Sequence, residues 1–324
     1  MAKTKKNLYL VTGGAGFIGS HVAETLLKQG ARVRVFDNLS TGFLSNIRGL
    51  KGDLDFQKGD LRNARACQKA ARGVQGIFHI AANRAVLRSV DDPRETNDVN
   101  ITGTLNVLLA ARGAGVKRVV FSSSSSVYGD TKVFPLKEEE KPRPQSPYAA
   151  SKIMGEYYCS LFSKLYGLET VNLRYFNVFG PRQNPESVYS AVIPIFIDCL
   201  LKRVSPEIHW DGRQSRDFTY VDNIVAGNLL AMKKPAAAGE VFNIACQEEY
   251  SVLDIFNSLK KIMQVRGVSP VFKPKRAGDV RRTFADVSKA RRVLGFKAQT
   301  RFYEGLEKTV EWFLSGRKPA GAGR

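Results

Sequence analysis

A glycine-rich motif near the N-terminus constrains the fold of this chain more than any other feature. Gly13, Gly16 and Gly19 follow an apolar run at residues 8–12 and lead into a segment with helical periodicity at residues 17–29. Glycines at this spacing allow a tight turn, and they let backbone N–H groups approach a pyrophosphate. The N-terminus of the helix adds partial positive charge. The motif therefore predicts a strand–turn–helix unit that binds a dinucleotide.

An acidic residue at the end of the next strand indicates which dinucleotide binds. Asp37 closes the strand predicted at 31–36 and lies 18 residues after Gly19. A carboxylate there accepts hydrogen bonds from ribose hydroxyls and repels a 2′-phosphate. Arg32 and Arg34 on the same strand favour NADP, but the acid outweighs them, so the predicted cofactor is NAD. Its predicted contacts are Gly13, Gly16, Phe17, Ile18, Gly19, Asp37, Asn38, Asp60, Leu61, Ala81, Ala82, Tyr148 and Lys152.

Strands and helices alternate through the first half of the chain. Strands are predicted at 8–12, 31–36, 54–58, 76–80, 116–123 and 168–176, with helices at 17–29, 97–111 and 148–166. This alternation is typical of a parallel sheet covered on both faces. The predicted class is α/β, a Rossmann-type doubly wound parallel sheet with a smaller C-terminal lobe. Residues 1–175 form the NAD-binding domain, 218–245 return to it, and 176–324 form most of the second lobe.

A tyrosine and a lysine four residues apart indicate proton-transfer chemistry. Tyr148 and Lys152 lie on one face of the predicted helix, a turn apart. A neighbouring ammonium favours the phenolate, so Tyr148 serves as a general base. Ser124, in the serine run 122–126 after the fifth strand, is the third candidate, while Ser122, Ser125 and Ser126 suit a serine-rich turn. His79 is expected to be a core histidine.

The composition excludes several other classes of protein. No apolar run approaches the ~20 residues of a membrane-spanning helix, and the basic N-terminus does not lead into a cleavage site, so a cytoplasmic protein is expected. The four scattered cysteines predict neither a metal site nor disulfides. The net charge is +20, from 50 Lys and Arg against 30 Asp and Glu. These charges are spread along the chain, so a solvated surface is favoured over nucleic-acid binding.

Several segments together resemble a known family. TGGAGFIG, Asp37, SSSSSVYG, YAASK and RYFNVFGPRQ, in this order, resemble the extended short-chain dehydrogenase/reductase family, in particular its UDP-glucose and UDP-N-acetylglucosamine 4-epimerases. The resemblance covers nearly the whole chain. It implies a homodimer formed through the 97–111 and 148–166 helices. It also implies that the second lobe binds a nucleotide sugar.

The resemblance assigns roles to the candidate residues. Tyr148 takes the proton of the sugar 4-hydroxyl while C4 gives hydride to NAD, Lys152 lowers the tyrosine pKa and holds the nicotinamide ribose, and Ser124 orients the hydroxyl. The 4-keto sugar then rotates and takes hydride on its other face. The residues matching family positions for the substrate are Ser124, Asn177 near the phosphates, Arg216 and Arg276 on the diphosphate, and Thr283 at the C2 substituent.

The choice of reaction and substrate leaves alternatives open. Related dehydratases carry an Asp-Glu pair, and decarboxylases a Glu, where this chain has Ser125-Ser126, so simple epimerisation is favoured. The small Thr283 admits an N-acetyl group and indicates UDP-N-acetylglucosamine and UDP-N-acetylgalactosamine, with UDP-glucose and UDP-galactose also open. Arg84 near the sugar keeps UDP-glucuronate open. A non-catalytic NAD-binding protein that binds RNA is the alternative from another class.

Overall fold

The computed structural model of the chain describes residues 6–84, 86–184, 191–275 and 280–316. Its strands are β1 Leu8–Thr12, β2 Arg32–Asp37, β3 Asp53–Lys58, β4 Gly76–His79, β5 Arg118–Ser124, β6 Glu169–Tyr175, β7 Val178–Phe179, β8 Glu207–His209, β9 Ser215–Asp217, β10 Thr219–Tyr220, β11 Val241–Ile244, β12 Glu249–Ser251, β13 Val271–Lys273 and β14 Arg282–Thr283. Its α-helices are α1 Phe17–Lys28, α2 Ser45–Arg48, α3 Ala64–Ala71, α4 Val86–Asp91, α5 Pro93–Asn97, α6 Gly103–Gly113, α7 Pro147–Tyr166, α8 Val192–Lys202, α9 Val221–Lys233, α10 Val252–Ile262, α11 Ser288–Leu294 and α12 Phe302–Leu314.

A seven-stranded sheet organises the first half of the chain. Its strands follow the order β11-β6-β5-β4-β1-β2-β3, and every neighbouring pair is parallel. The order reverses between β1 and β4, and ligands of such sheets bind at the carboxyl ends of the strands beside this reversal. The predicted α/β class with a doubly wound parallel sheet is confirmed.

Apolar side chains cover both faces of this sheet. Val35 and Val120 belong to the cluster on the face with α1 and α9, whereas Ile77 and Val119 belong to the cluster beneath α3 and α6. Burying one such side chain contributes about 1.5–3 kcal/mol to stability. Because both faces are covered, β4 and most of β5 are buried along their length, as parallel sheets require. The sheet is therefore a rigid base for residues at its strand ends.

The second lobe has its own aromatic core and small sheets. Phe196, Phe256 and Phe302 belong to a third apolar cluster. Strand β9 lies between β12 and β14, while β7 pairs with β10 and β8 with β13. Strand β11, by contrast, pairs with β6 in the large sheet. The chain thus passes from the second lobe back to the first.

The segment predicted as a helix over 97–111 is helical throughout, but it contains a π-turn that the prediction did not include. Helix α5 ends at Asn97, a π-helical turn covers Asp98–Thr102, and α6 starts at Gly103. Within the π-turn, the buried Asn100 side chain makes three hydrogen bonds to other segments, and π-turns commonly occur at functional sites. The π-turn thus lies where one buried side chain bonds to segments distant in the chain.

Three smaller features also bear on the predictions. Helix α9 starts at Val221, because Thr219–Tyr220 forms β10. Cys67, Cys159, Cys199 and Cys246 are free thiols. No helix within the described ranges is long and apolar enough to cross a membrane.

Candidate active site

The glycine turn between β1 and α1 is closed by contacts that exclude side chains. Gly13 has a φ of +67°, and a Cβ there would lie 2.8 Å from the Ala81 Cα. A Cβ on Gly19 would lie 2.1 Å from the Gly13 carbonyl oxygen. The N-cap of α1 is Gly16, which has no side-chain hydrogen bond to the first turn. Backbone N–H groups of the helix start are therefore available to an anion, and the neighbouring Phe17 and Ile18 are partly exposed.

Asp37 connects the end of β2 to the glycine turn. Its Oδ2 accepts a hydrogen bond from the Ala15 N–H at 3.0 Å, and Oδ1 accepts one from the Leu39 N–H at 2.8 Å. Burial raises the pKa of Asp37, while these two bonds lower it. A carboxylate oxygen accepts more than one hydrogen bond, so the predicted contact with ribose hydroxyls is compatible with this tether.

The two arginines on β2 are engaged elsewhere. Arg32 Nε donates to Asp53 at 2.8 Å, and Arg34 Nε donates to Asp55 at 2.7 Å. Both partners lie on β3, so these arginines do not form a 2′-phosphate site at the strand end. The geometry agrees with the preference for NAD over NADP.

Two of the predicted NAD contacts, Asp60 and Leu61, follow β3, and Asn38 follows β2. Asn38 Nδ2 donates to Asp60 at 2.9 Å, and Arg62 forms two further hydrogen bonds with that carboxylate, so the pKa of Asp60 is held far below its usual range. The Leu61 side chain is buried in the core. Ala81 packs against Gly13, and Ala82 follows it at the edge of the sheet.

His79 is a satisfied core residue, as predicted. Its ring nitrogens lie 2.8 Å from the Thr12 hydroxyl and 3.0 Å from the Thr104 hydroxyl. Burial, together with the charge of Lys152, lowers the pKa of His79 to about 3. The ring is therefore neutral and links three elements.

Helix α7 carries the tyrosine–lysine pair to the end of β5. It begins at the Ser146 cap, whose hydroxyl accepts from the Ala149 N–H at 3.2 Å. Lys152 Nζ donates to the Ser122 carbonyl at 2.8 Å and lies 5.8 Å from the centre of the Tyr148 ring. Tyr148 lies close enough to Ser124, the last residue of β5, for that serine to lower the tyrosine pKa. The fold thus brings all three predicted catalytic residues together.

The electrostatics of this group decide which forms are stable. Burial raises the pKa of Tyr148, whereas the nearby Ser124 side chain and the charge of Arg84 lower it. Burial lowers the pKa of Lys152 to about 8, and the charge of Glu156 opposes that shift. The lysine is therefore cationic at neutral pH, and further positive charge beside Tyr148 favours its phenolate.

The serine run is more ordered than a turn. Ser122 and Ser123 belong to β5, where the Ser122 hydroxyl lies 2.9 Å from the Tyr175 hydroxyl and Ser123 donates to Glu156. The interpretation of Ser122 as a turn residue was wrong, because it is a strand residue. Ser126 follows in a 3₁₀ turn and donates to the Ser124 Oγ at 3.0 Å.

Asn100 is a site residue that the sequence reasoning missed. Its Oδ1 accepts from the Asn83 N–H at 2.7 Å, and its Nδ2 donates to the Ser151 hydroxyl at 2.9 Å. Ser151 in turn donates to the Tyr148 carbonyl at 2.7 Å. The π-turn therefore holds both the catalytic helix and the loop before Arg84. Nothing in the helical periodicity of this segment signals such a turn.

Three of the predicted substrate residues meet in the second lobe. Asn177 Nδ2 donates to the Thr283 hydroxyl and to the Asp217 carbonyl, each at 3.2 Å. Thr283 on β14 pairs with Arg216 on β9, whose guanidinium donates to the Val280 carbonyl at 2.7 Å. Residues far apart in the chain thus form one cluster. Arg276 lies outside the described residues.

Three observations show that the residues present fit NAD as a cofactor. The glycine turn leaves no room for side chains, Asp37 stands at the strand end with the β2 arginines diverted from it, and the tyrosine–lysine pair flanks the sheet edge. The fold and this site define an NAD-dependent enzyme of the Rossmann type. The parts of the chain described by the structure hold no cluster of His, Cys, Asp and Glu that would bind a metal ion.

Comparison with known proteins agrees with this class. Residues 9–245 match the NAD dependent epimerase/dehydratase family, and the chain belongs to that family. The structure of UDP-glucose 4-epimerase from Thermotoga maritima with UDP-glucose is 40% identical, covers 95% of this chain and 99% of its own, and superposes with a TM-score of 0.91.

Two further relatives have different named substrates. UDP-N-acetylglucosamine 4-epimerase from Methanobrevibacter ruminantium M1, in complex with UDP-N-acetylmuramic acid, is 39% identical, covers 97% of this chain and 100% of its own, and has a TM-score of 0.91. UDP-glucuronate 4-epimerase from Thermodesulfobacterium geofontis is 34% identical over 94% of this chain and 95% of its own length. The family, the fold and the cofactor NAD predicted from the sequence are confirmed.

Proposed function

We propose that this chain is a UDP-sugar 4-epimerase whose substrates include UDP-N-acetylglucosamine and UDP-N-acetylgalactosamine. The observation that carries the reaction is the group of Ser124, Tyr148 and Lys152 at the end of β5. All three relatives described above are named as 4-epimerases of UDP-linked sugars. The plainest reaction for such a site is reversible inversion at C4 of a UDP-hexose.

Each residue has a defined task in this reaction. NAD, when bound, supplies the group that takes hydride from the sugar C4 and returns it. The Tyr148 phenolate accepts the proton of the 4-hydroxyl and later gives it back. The Ser124 hydroxyl holds that oxygen in place. The Lys152 ammonium stabilises the phenolate through its charge.

The residues after Ser124 favour epimerisation over elimination of water. Ser125 and Ser126 occupy the positions where related dehydratases carry acids, and the Ser126 hydroxyl bonds to Ser124. A hydroxyl in this setting is a poor general acid, because its pKa lies far above neutral pH. The 4-keto sugar therefore keeps its 6-hydroxyl and returns to an alcohol.

The substrate proposal rests on Thr283. Its side chain is small and buried, and its hydroxyl is held by Asn177. A threonine leaves more room for the C2 substituent than the tyrosine of hexose-restricted relatives. We therefore expect N-acetylated sugars to be accepted alongside plain hexoses.

Incubation of the purified protein with UDP-N-acetylglucosamine, UDP-glucose and UDP-glucuronate, each followed by NMR of the sugar H1, tests the proposal. The galacto epimer of unchanged mass is the expected product, and Tyr148→Phe, a matched control lacking only the hydroxyl, is expected to lose this conversion while keeping NAD. No conversion of any of the three by a protein that contains NAD would contradict the proposal. A product lighter by one water would indicate a dehydratase instead.

Arg84 favours UDP-glucuronate as a second candidate substrate. Its charge lowers the pKa of Tyr148, and its exposed side chain has no carboxylate partner among the described residues. A guanidinium suits a uronate carboxylate. If Arg84 binds it, Arg84→Ala lowers kcat/KM for UDP-glucuronate more than for UDP-glucose. An equal loss for both sugars would assign Arg84 to the reaction in general.

A further inference from the structure

A buried ion pair lies behind the catalytic group, on residues to which the reaction above assigns no task. Arg174 on β6 donates to both carboxylate oxygens of Glu156 on α7, at 2.9 and 2.8 Å. The two side chains are only 4% and 6% exposed. Removing two charges from water is costly, and a buried pair often adds little to stability compared with apolar residues. The position of this pair therefore suggests another role.

The pair is joined to the strand that carries Ser124. Glu156 accepts a hydrogen bond from the Ser123 hydroxyl, while Lys152 donates to the carbonyl of Ser122. Helix α7 thus holds two consecutive residues of β5, and the next residue is Ser124. Arg174 lies opposite Ser123 in the β5–β6 register, so the ion pair closes a contact among one helix and two strands.

The pair also sets the charge around Lys152. Glu156 follows Lys152 by four residues on the same helix, so their side chains share a face. Burial lowers the pKa of Lys152 to about 8, and the charge of Glu156 is the largest influence that opposes this shift. The titratable or charged groups around the Glu156 carboxylate are Lys152, Cys159, Arg174, Tyr128 and Glu138.

We propose that Glu156 and Arg174 form a positioning pair, which fixes the end of β5 against α7 and so holds Ser124 and Lys152 in place around Tyr148. The inference rests on the proposed function, because the pair acts through groups that move the proton of the sugar 4-hydroxyl. Glu156 offsets the buried ammonium, and Arg174 limits how much of the Glu156 charge reaches it. Loss of Glu156 therefore lowers the Lys152 pKa, whereas loss of Arg174 raises it.

The first test compares three variants by the pH dependence of kcat. Glu156→Gln leaves two buried cations, so the alkaline limb of the kcat profile, where Lys152 loses its proton, moves to lower pH. The value of kcat at neutral pH falls about tenfold or more. Arg174→Met leaves the carboxylate to Lys152 alone, so the limb moves to higher pH. Ser123→Ala cuts the strand contact without changing charge, so kcat falls and the limb stays. KM is expected to change little in all three.

A second readout needs no sugar. Tyrosinate absorbance of the NAD-loaded protein is titrated, and the signal missing from Tyr148→Phe gives the Tyr148 share. We expect the Tyr148 pKa to rise in Glu156→Gln, because Lys152 then loses its charge at lower pH. We expect it to fall in Arg174→Met, because Lys152 then keeps its charge to higher pH. The two variants could shift the Tyr148 pKa in opposite directions while the wild-type protein converts no UDP-sugar. That result would reject the proposed function and leave this inference standing.

Several outcomes would overturn the positioning role. The pair is merely structural if Glu156→Gln and Arg174→Met move the alkaline limb and the Tyr148 pKa in the same direction. It is also merely structural if they lower only the melting temperature. If Glu156→Gln does not fold, Glu156→Asp replaces it: this variant keeps the charge, so the limb stays while kcat falls. The proposal is also rejected if Ser123→Ala leaves kcat unchanged and Arg174→Met leaves the alkaline limb where it is.

Discussion

In the reaction that we propose, the side chains of Tyr148 and Lys152 determine the pH range in which the site works. Lys152 must carry a charge to favour the phenolate, and burial lowers its pKa to about 8. Tyr148 must lose its proton, yet burial raises its pKa. The two requirements oppose each other unless further positive charge acts on the tyrosine. Arg84 supplies part of that charge from the protein itself.

We predict an alkaline limb in the activity of the wild-type protein. As the pH rises through about 8, Lys152 loses its proton and the phenolate loses its counter-charge, so kcat falls. Lys152→Arg stays charged over this range, and its lower activity should lack the limb. Lys152→Met, as a control, should be weakly active at every pH. A limb that persists unchanged in Lys152→Arg would assign it to another group.

Thr283 provides a test of substrate choice at the same scale. Thr283→Tyr fills the space beside Asn177, so we expect the rate with UDP-N-acetylglucosamine to fall more than about tenfold. The rate with UDP-glucose should change far less. Thr283→Ser keeps the hydroxyl that Asn177 bonds and serves as the matched control. Equal losses for both sugars in Thr283→Tyr would reject the gating role.

At the scale of elements, the junctions between strands and helices hold the site. The glycine turn joins β1 to α1 without space for side chains, and the π-turn between α5 and α6 joins the loop after β4 to α7. Each junction depends on close backbone contacts, so one added atom at such a point displaces the strand or helix that it joins.

Two glycine substitutions test this sensitivity. Gly19→Ala places a Cβ 2.1 Å from the Gly13 oxygen, so we expect a stability loss of about 1–3 kcal/mol or more and a protein that loses bound NAD. Gly113→Ala adds the same methyl where no atom lies within 4 Å, and it should be neutral or slightly stabilising. Urea unfolding and the NAD content of each variant measure both effects. Retention of NAD in Gly19→Ala would contradict the geometry.

At the scale of the whole molecule, helix α7 carries a stripe of apolar side chains that is exposed to solvent. Met154, Tyr157, Leu161 and Leu165 lie on one side of the helix, and Leu109 of α6 is exposed as well. Leu165 is 66% exposed. Contiguous exposed apolar surface is typical of protein interfaces. This is the surface that the family resemblance assigns to a homodimer.

We predict that the protein is a dimer through these helices. Leu161→Lys combined with Leu165→Lys places two charges in the contact, so light scattering should report a monomer. Leu314→Lys adds a charge at a leucine of α12 that is 58% exposed, and this control should remain a dimer. A wild-type monomer, or a dimer unaffected by the α7 changes, would refute the assignment.

The net charge of +20 belongs to the same scale. We expect only generic attraction to RNA, with a Kd of about 10⁻⁶ M or weaker at physiological salt and a steep loss of binding as salt increases. Fluorescence anisotropy with a labelled RNA at two salt concentrations measures this. Tight binding that persists at high salt would favour the RNA-binding alternative.

How far the sequence predicts the site depends on the kind of residue. The Tyr148–Lys152 spacing and the glycine motif are local patterns, so both could be read directly. Asn100 and the Glu156–Arg174 pair could not, because their partners lie 17 to 51 residues away in the chain. The predicted strand at 116–123 already included Ser122, so only the separate assignment of that serine to a turn was wrong.

The sequence alone determined the alternation of strands and helices, the dinucleotide turn, the preference for NAD and the residues that we propose to move the proton. These properties follow from periodicity, backbone freedom and the chemistry of neighbouring side chains. Only the tertiary structure decided that Asn177, Arg216 and Thr283 form one cluster, that the long helix contains a π-turn at Asp98–Thr102, and that a buried ion pair stands behind Ser124. These depend on contacts between distant segments, which form only when the sheet and the second lobe pack together.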